Sequence, residues 1–245
     1  MKPTSERVIR PYQPSDRQLL RDICADTGFL GKPIDPAFED RELFADYLTS
    51  YYTDIEPEST LVCVYNGEVK GYLMGCRFPK KKTAYEAKLL PKLVAKGLWR
   101  YVTRPYNAAS RRYVHWLITN ARKENPFTPP DIPHFHFNIR PEARDLASTV
   151  ELLDMFFAYL LENGDKQVYA QVVTYETRRS MRLFARYSFE VIDEREVTKY
   201  RKLYDGKIHL FTILKDLTLS THIYGADLRE KAPSPMNKLV PPGAN

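Results

Sequence analysis

The pair Asn66-Gly67, set between two short apolar runs, constrains the fold of this chain more than any other local feature. Leu61 to Tyr65 and Val69 to Leu73 have the length and the β-branched and aromatic content of strands. Asn and Gly both tolerate positive φ, which the two central residues of a tight hairpin turn require. The sequence therefore predicts an antiparallel hairpin centred on residues 66 and 67.

Helical and extended patterns alternate around this hairpin. A short strand at residues 8–10 precedes two predicted helices, over 17–28 with Ser15 and Asp16 as candidate N-caps and over 36–52. After the hairpin we predict a strand near 134–140, a helix that ends at Gly164, and a strand over 167–173. A short helix over 177–189 and a hairpin with strands 196–203 and 207–214, turning at Asp205-Gly206, complete the order.

Residues 134–140 alternate in the way of a strand with two different faces. Phe135, Phe137 and Ile139 point to one side, and His134, His136, Asn138 and Arg140 to the other.

The net charge of +6 is concentrated in one segment. Residues 77–123 hold thirteen Lys and Arg and a single acid, Glu86, so this segment carries +12 and the rest of the chain −6. Its repeat of basic residues at every fourth position predicts one cationic ridge on a helix, formed by Lys88, Lys92, Lys96, Arg100 and Arg104. Such a ridge could meet nucleic acid, an anionic membrane surface or an acidic protein, or be an ordinary solvated face.

Composition excludes several classes of protein. Hydrophobic residues make up 43% of the chain, which is enough to bury a core. The three cysteines, Cys24, Cys63 and Cys76, fit neither a disulfide framework nor a zinc site. No apolar run has the length of a signal peptide or of a membrane span, which is about 20 residues. We therefore expect a cytoplasmic protein, with one domain over residues 1–230, a basic helical insertion over 77–133, and a loose tail over 231–245.

Two stretches carry a resemblance to a known superfamily. The first, PHFHFNIRPEARDLASTVELLDMFFAYLLENG, resembles the fourth strand, the pyrophosphate loop and the following helix of GNAT acetyltransferases. The second, VYAQVVTYETRRSMRLFARYSFEV, resembles their fifth strand and the next helix. The amino-terminal IRPYQPSDRQLLRDICADTGFLG and the EPE at Glu56 to Glu58 are similar to bacterial proteins resembling the acetyltransferase-like domain of protein O-GlcNAcase.

This resemblance implies an α/β fold, with a mixed, mostly antiparallel central sheet, flanking helices, and fourth and fifth strands that splay apart. It also implies an N-acetyltransferase that takes acetyl-CoA as acyl donor and an amine of a small molecule or a protein as acceptor. The pantetheine arm would lie in the gap between the splayed strands, and the pyrophosphate on the N-terminus of the next helix. The positions that match the cofactor site are Ile139, Arg140, Arg144, Asp145, Leu146, Ala147, Ser148, Thr149 and Thr177.

The chain departs from the family pattern at informative positions. Thr149 stands where the loop usually has Gly or Ala, and Asp145 adds a negative charge beside the expected anion, so both should weaken coenzyme binding. Phe184 stands where a tyrosine usually protonates the leaving thiolate, which leaves Tyr187 as the nearest candidate acid. These departures keep open an acyltransferase with another acyl-CoA, and a non-catalytic GNAT-like module that holds an anionic partner through its basic insertion.

His136 and Glu142 are candidate bases for the incoming amine, and so is Glu176, at the end of the second splayed strand. His136 on the predicted strand and Glu142 just after it could each take a proton or orient the amine, while a buried histidine and a solvated glutamate are the structural alternatives. His134 and His136 share a face, but two histidines without a third ligand are weak evidence for a metal, so we expect none. Sheet completion through the last hairpin would allow a homodimer.

Overall fold

The computed structural model describes residues 7–175, 185 and 187–219. Strands in this part of the chain form a seven-stranded sheet in the order β1-β2-β3-β4-β5-β7-β6. They are β1 (Arg7–Pro11), β2 (Thr60–Tyr65), β3 (Glu68–Cys76), β4 (His134–Ile139), β5 (Gln167–Thr174), β6 (Glu190–Glu196) and β7 (His209–Asp216). Neighbouring strands are antiparallel except β4 and β5, which are parallel. The predicted fold class, mixed and mostly antiparallel, is confirmed.

Helices flank both faces of this sheet. They are α1 (Arg17–Thr27), α2 (Arg41–Asp54), α3 (Pro79–Thr103), α4 (Ala108–Thr119), α5 (Ala121–Glu124) and α6 (Leu146–Glu162). The predicted start of α2 at residue 36 is wrong. The helix begins at Arg41 because the Asp40 side chain accepts the N–H of Leu43 at 3.0 Å and caps it there.

Side-chain alternation in the strands divides the core into two layers. Leu61, Leu73 and Phe135 pack with residues of α6 on one face of the sheet. On the other face, Tyr72 and Met74 pack with residues of α1 and α2. The prediction that phenylalanine and histidine of residues 134–140 lie on opposite sides of the strand is confirmed. Phe135 packs with α6, and the histidines lie on the α1/α2 face, where His136 contacts Tyr52.

The hairpin at residues 66 and 67 is confirmed, with φ of 49° at Asn66 and 81° at Gly67. The last hairpin differs from its prediction, because β6 ends at Glu196 and a connection of twelve residues precedes β7. Tyr200 causes the difference: it is buried, and its hydroxyl donates to the C=O of Gly28 at 2.9 Å. The ring of Tyr200 packs against Tyr113 and Phe29, in a third cluster of buried side chains outside the two core layers.

The basic insertion folds as α3, α4 and α5 between β3 and β4. Its predicted single cationic ridge is wrong. A repeat of four residues advances about 40° beyond each helical turn, so the basic residues drift around the helix. Lys96 binds Asp46 of α2, and Arg100 binds Asp40, the N-cap of α2. Lys88, by contrast, is exposed. Among the described helices, none is long and apolar enough to cross a membrane.

Candidate functional site

Strands β4 and β5 part after a short stretch of pairing. Only two residue pairs join them, His134 with Tyr169 and Phe135 with Ala170, although β4 continues to Ile139 and β5 to Thr174. All of β4 is paired with β3, and all of β5 is paired with β7. Both β4 and β5 therefore stay extended where they separate. The result is a V-shaped gap in the middle of the sheet that opens toward the C-terminal ends of both strands.

Polar backbone groups of β4 face this gap. The N–H of Arg140 donates to the C=O of Lys70 at 2.9 Å, and the alternation of an antiparallel ladder then directs Asn138 and His136 toward β3 as well. The N–H and C=O groups of Phe137 and Ile139 therefore point away from β3, into the gap. The N–H of Tyr169 on β5 donates to the C=O of Pro133 at 2.9 Å. This bond agrees with the alternation, because residues at every second position from Pro133, which include Phe137 and Ile139, then face β5.

The loop after α1 lies across the mouth of the gap. Tyr175, at the end of β5, donates its hydroxyl to the C=O of Leu30 at 3.4 Å. At the end of β4, the guanidinium of Arg144 donates to the C=O of Ile139 at 3.1 Å. Gly31 lies against that guanidinium with φ of +81°, and a Cβ there would come within 3.1 Å of it. Residues 30 and 31 thus join the two strand ends, and only glycine suits the second of them.

Helix α6 begins soon after β4 ends, on the side of the open end of the gap. Leu146 and Ala147 are exposed, and as the first two residues of the helix their N–H groups have no acceptor within it. Ser148 and Thr149 are buried, and the Thr149 hydroxyl donates to the C=O of Asp145 at 3.1 Å. The first turn therefore offers two solvent-facing backbone donors at the positive end of the helix dipole.

Asp145 places a carboxylate at the same end of the helix. It accepts the N–H of Ser148 at 2.5 Å and the hydroxyl of Tyr65, and Arg7 lies 3.6 Å away. Burial raises the pKa of this carboxyl, but the hydrogen bonds from Tyr65 and Ser148 and the charge of Arg7 outweigh it and hold the pKa below its ordinary value. The residue is therefore ionised at neutral pH and caps the helix.

The remaining predicted cofactor positions lie apart. Arg140 faces α1, where its guanidinium binds Asp26 at 2.6 Å. Asp26 also binds Arg41, so Arg140 belongs to a chain of ion pairs on the α1/α2 face rather than to the helix terminus. Thr177 and the candidate base Glu176 lie outside the described residues.

His136 lies on the α1/α2 face of the sheet, enclosed by aromatic rings. Tyr52 and Tyr72 contact it with ring centroids 4.9 and 5.7 Å away, and its Nε2 has no hydrogen-bond partner among the described residues. Burial, and secondarily the charge of Lys82, lower the pKa of His136 to about 3. The imidazole is therefore neutral at physiological pH and a weak base where it stands.

The other two candidate catalytic residues lie elsewhere. Glu142 is exposed in the turn after β4, 3.8 Å from the Nζ of Lys70. Tyr187 is buried in the apolar layer on the α6 face, and its C=O accepts the Nζ of Lys215 at 2.7 Å. The fold thus places Tyr187 and His136 on opposite faces of the sheet and leaves Glu142 in solvent.

Lys215 is a buried cation that sequence reasoning did not single out. It lies 1% exposed on β7, with its Nζ about 6 Å from the ring centroids of Phe157 and Phe189. Burial lowers the pKa of its amine to about 8, against the opposing charges of Asp216 and Asp154. Its place in the strand gives no sign of this, because a lysine within an alternating strand is typical of a solvent-facing position.

The cysteines are buried with free thiols, as predicted for Cys63 and Cys76. Burial raises the pKa of all three thiols, which keeps them protonated. In the described part of the chain, no group of three His, Cys, Asp or Glu side chains is arranged to hold a metal ion.

Comparison with known proteins was made on sequence and on structure. No protein-family model and no curated protein matches the sequence. Among solved structures, SsHAT aligns with a TM-score of 0.58 and 21% identity, covering 86% of this chain and 98% of its own. An N-acetyltransferase from Staphylococcus aureus Mu50 aligns at 0.51 and 15% identity, covering 87% of this chain and 99% of its own.

A third structure was solved with a ligand. YncA from Salmonella typhimurium, a putative acetyltransferase with its cofactor acetyl-CoA, aligns at a TM-score of 0.50 with 14% identity, covering 86% of this chain and 94% of its own. At sequence identities this low, the structural alignments establish the fold alone. The chain therefore has the GNAT fold, and its structural neighbours are acetyltransferases of that family at low sequence identity.

Proposed function

We propose that this protein is an acetyl-CoA-dependent N-acetyltransferase whose acceptor is an amine. The observation that carries the proposal is the gap between β4 and β5, into which the N–H and C=O of Phe137 and the N–H of Ile139 point with no partner strand among the described residues. A sheet interior that leaves strand backbone unpaired needs another partner for those groups. An extended ligand with amide groups, such as a pantetheine arm, would supply it.

Acetyl-CoA, when bound, would supply the acetyl group as a thioester. The N–H groups of Phe137 and Ile139 would hold the arm and polarise the thioester carbonyl. The exposed N–H groups of Leu146 and Ala147, at the positive end of α6, would bind the diphosphate. Arg144 is exposed beside them and would add a charged hydrogen-bond donor.

Asp145 opposes this binding at one point. Its ionised carboxylate already takes the third N–H of the first turn, from Ser148, and would lie beside the diphosphate. The strand gap fits the arm of the cofactor, and the helix terminus fits its diphosphate less well. We therefore expect binding that is measurable but weaker than a loop without this carboxylate would give.

The acceptor amine would approach from the α1/α2 face, opposite α6. His136 lies there and stays our predicted base, although a pKa of about 3 means that a water molecule must first reach its ring and relieve its desolvation. Tyr187 on the α6 face stays our predicted acid for the departing thiolate. Glu142 lies in solvent beside Lys70. It would act only by orienting the acceptor amine as the amine approaches.

A second candidate function is a non-catalytic binding module. The observation that favours it is the self-capping of α6 by Asp145, which occupies part of an anion site with a carboxylate of the chain itself. In that case the basic insertion would hold an anionic partner. The amino-terminal similarity to proteins resembling the acetyltransferase-like domain of O-GlcNAcase supports either function.

Calorimetric titration with acetyl-CoA at low and moderate salt tests the proposal. We expect a Kd in the micromolar range, weakened at least tenfold by Arg144→Ala and unchanged by Arg122→Ala, which removes an exposed arginine of α5. Release of free thiol in a screen of amine acceptors would then establish turnover. If no binding is detected up to about millimolar acetyl-CoA, which corresponds to roughly 4 kcal/mol of binding free energy, the acetyltransferase proposal is wrong and the non-catalytic binding module is favoured.

A further inference from the structure

Helix α3 exposes an apolar stripe on the side that faces away from the protein. None of its residues is buried, although the helix is 25 residues long. Val94, Leu98 and Val102 follow one another at a spacing of four, and they are 58%, 62% and 78% exposed. Together with Leu90 and Tyr101 they fall within about a third of the helix circumference and extend over about 18 Å.

The opposite side of α3 is already occupied by α2. Lys96 binds Asp46 at 2.7 Å, and Arg100 binds Asp40. Tyr85 contacts the ring of Tyr51 at 5.8 Å. These contacts fix the rotation of the helix, so the apolar stripe does not turn inward. A face of this kind on a soluble protein marks an interaction surface.

The surroundings of the stripe are cationic. Lys88, Lys92 and Trp99 lie along one flank of it and are exposed, with Trp99 71% exposed. Arg104 lies exposed at the end of the helix. The single acid of residues 77–123, Glu86, is bound by Lys82. Within residues 77–123, which the structure describes in full, an occupant of this face therefore meets apolar side chains, a tryptophan and positive charge, and no exposed carboxylate.

Charge and shape distinguish three possible partners of this face: a second copy of the chain, a helix of another protein and an anionic lipid surface. A second copy of the chain would set this positively charged face, with Lys88 and Lys92, against the same positively charged face of its partner, because a two-fold interface sets a patch against itself. A partner helix needs a groove, and the stripe is the outer side of a single surface helix. An anionic lipid surface satisfies both conditions, since acyl chains take up the apolar stripe and headgroups pair with the lysines.

We propose that α3 is a membrane-surface helix that lies in the interface of an anionic bilayer, with Val94, Leu98 and Val102 inserted and Lys88 and Lys92 at the level of the headgroups. Trp99, on the same flank as the two lysines, has the amphipathic ring suited to that boundary. The helix lies on the membrane and does not span it, in agreement with its content of charged residues.

Vesicle sedimentation of the full chain tests this proposal. The probes are vesicles of phosphatidylcholine alone and vesicles with 30% phosphatidylserine, at about 50 and 300 mM salt. We expect binding to the anionic vesicles at least tenfold tighter than to the neutral ones, and weaker at high salt. Val94→Asp with Leu98→Asp should weaken binding at least tenfold, and Lys88→Gln with Lys92→Gln should remove most of the preference for anionic lipid.

The matched control is Val191→Asp, an exposed apolar residue on β6, which should leave vesicle binding unchanged. Circular dichroism and thermal unfolding of each variant show that a loss of binding is not a loss of fold. Equal binding to neutral and anionic vesicles would overturn the proposal, as would full binding by the double aspartate variant. A dimer in light scattering that Leu98→Asp dissociates would overturn it in favour of a second copy of the chain.

Discussion

The carboxylate of Asp145 accepts the backbone N–H of Ser148 at 2.5 Å, in the first turn of α6. This contact stabilises the helix by capping it, and it places a negative charge where the proposed cofactor would bring its diphosphate. Stability of the helix and affinity for the anion are therefore set against each other at one residue.

Asp145→Ser separates these two effects. Serine keeps a side-chain oxygen for the Ser148 N–H, so we expect a stability change within a few tenths of a kcal/mol, while loss of the charge should tighten acetyl-CoA binding roughly five- to tenfold. Calorimetric titration measures the affinity and urea unfolding the stability. Glu162→Gln, which removes an acid at the far end of the same helix, is the control and should leave the affinity unchanged. An unchanged Kd for Asp145→Ser would show that no anion binds at this terminus.

The buried histidines make stability depend on pH. Burial lowers the pKa of both His134 and His136 to about 3, whereas an unfolded histidine titrates near 6.5. Below pH 6.5 the unfolded state therefore binds protons that the folded state excludes, so stability is complete above that pH and falls as the pH drops toward 3. The loss is up to about 1.4 kcal/mol per pH unit for each ring.

Urea unfolding at pH 7.5, 6.5 and 5.5 measures this loss, with His136→Gln as the comparison. The variant should lose about half of the slope between pH 6.5 and 5.5. A slope that stays the same in His136→Gln would mean that the ring is charged or solvated in the folded protein, and that it is a stronger base than its burial indicates.

Gly75 on β3 cannot carry a side chain. A Cβ there would lie 2.2 and 2.4 Å from two ring atoms of Phe156 and 2.8 Å from the C=O of Ser59. We expect Gly75→Ala to destabilise the fold by about 2–3 kcal/mol, since it forces α6 away from the sheet. Gly97→Ala in α3 is the control, because its Cβ would meet only Leu43 at 3.6 Å, and a helical glycine replaced by alanine should gain about 0.5–1 kcal/mol. Thermal unfolding that ranks the two variants in the opposite order would contradict this packing.

Glu56 holds the turn between α2 and β2 to the end of β3. It is fully buried and accepts hydrogen bonds from the hydroxyls of Tyr51 at 2.6 Å and Ser59 at 2.7 Å, and from the N–H of Arg77 at 2.5 Å. Glu56→Gln sets a donating amide against these donors, so we expect a loss of about 3 kcal/mol. Glu58→Gln, in the same turn and partly exposed, should cost less than about 1 kcal/mol. Similar losses in the two variants by urea unfolding would show that the buried acceptor is not what holds the turn.

Local patterns in the sequence determined most of the elements in the described residues and their order, the last hairpin excepted. Asn66-Gly67 sets its hairpin because both residues tolerate positive φ, and the alternation of residues 134–140 sorts phenylalanine from histidine because a strand has two faces. The positions of Arg144 to Thr149 at the start of α6 also follow from sequence, since they resemble a loop known from other proteins.

Only the tertiary structure decided how these parts combine. The parting of β4 from β5 after two residue pairs, the neutralisation of Lys96 by Asp46 and the turn forced by burial of Tyr200 all depend on contacts between residues far apart in the chain. The same holds for the helix face that α3 leaves exposed, because α2 takes the other one. Periodicity describes a segment by its own residues, whereas burial, pairing and pKa depend on which distant segment lies against it.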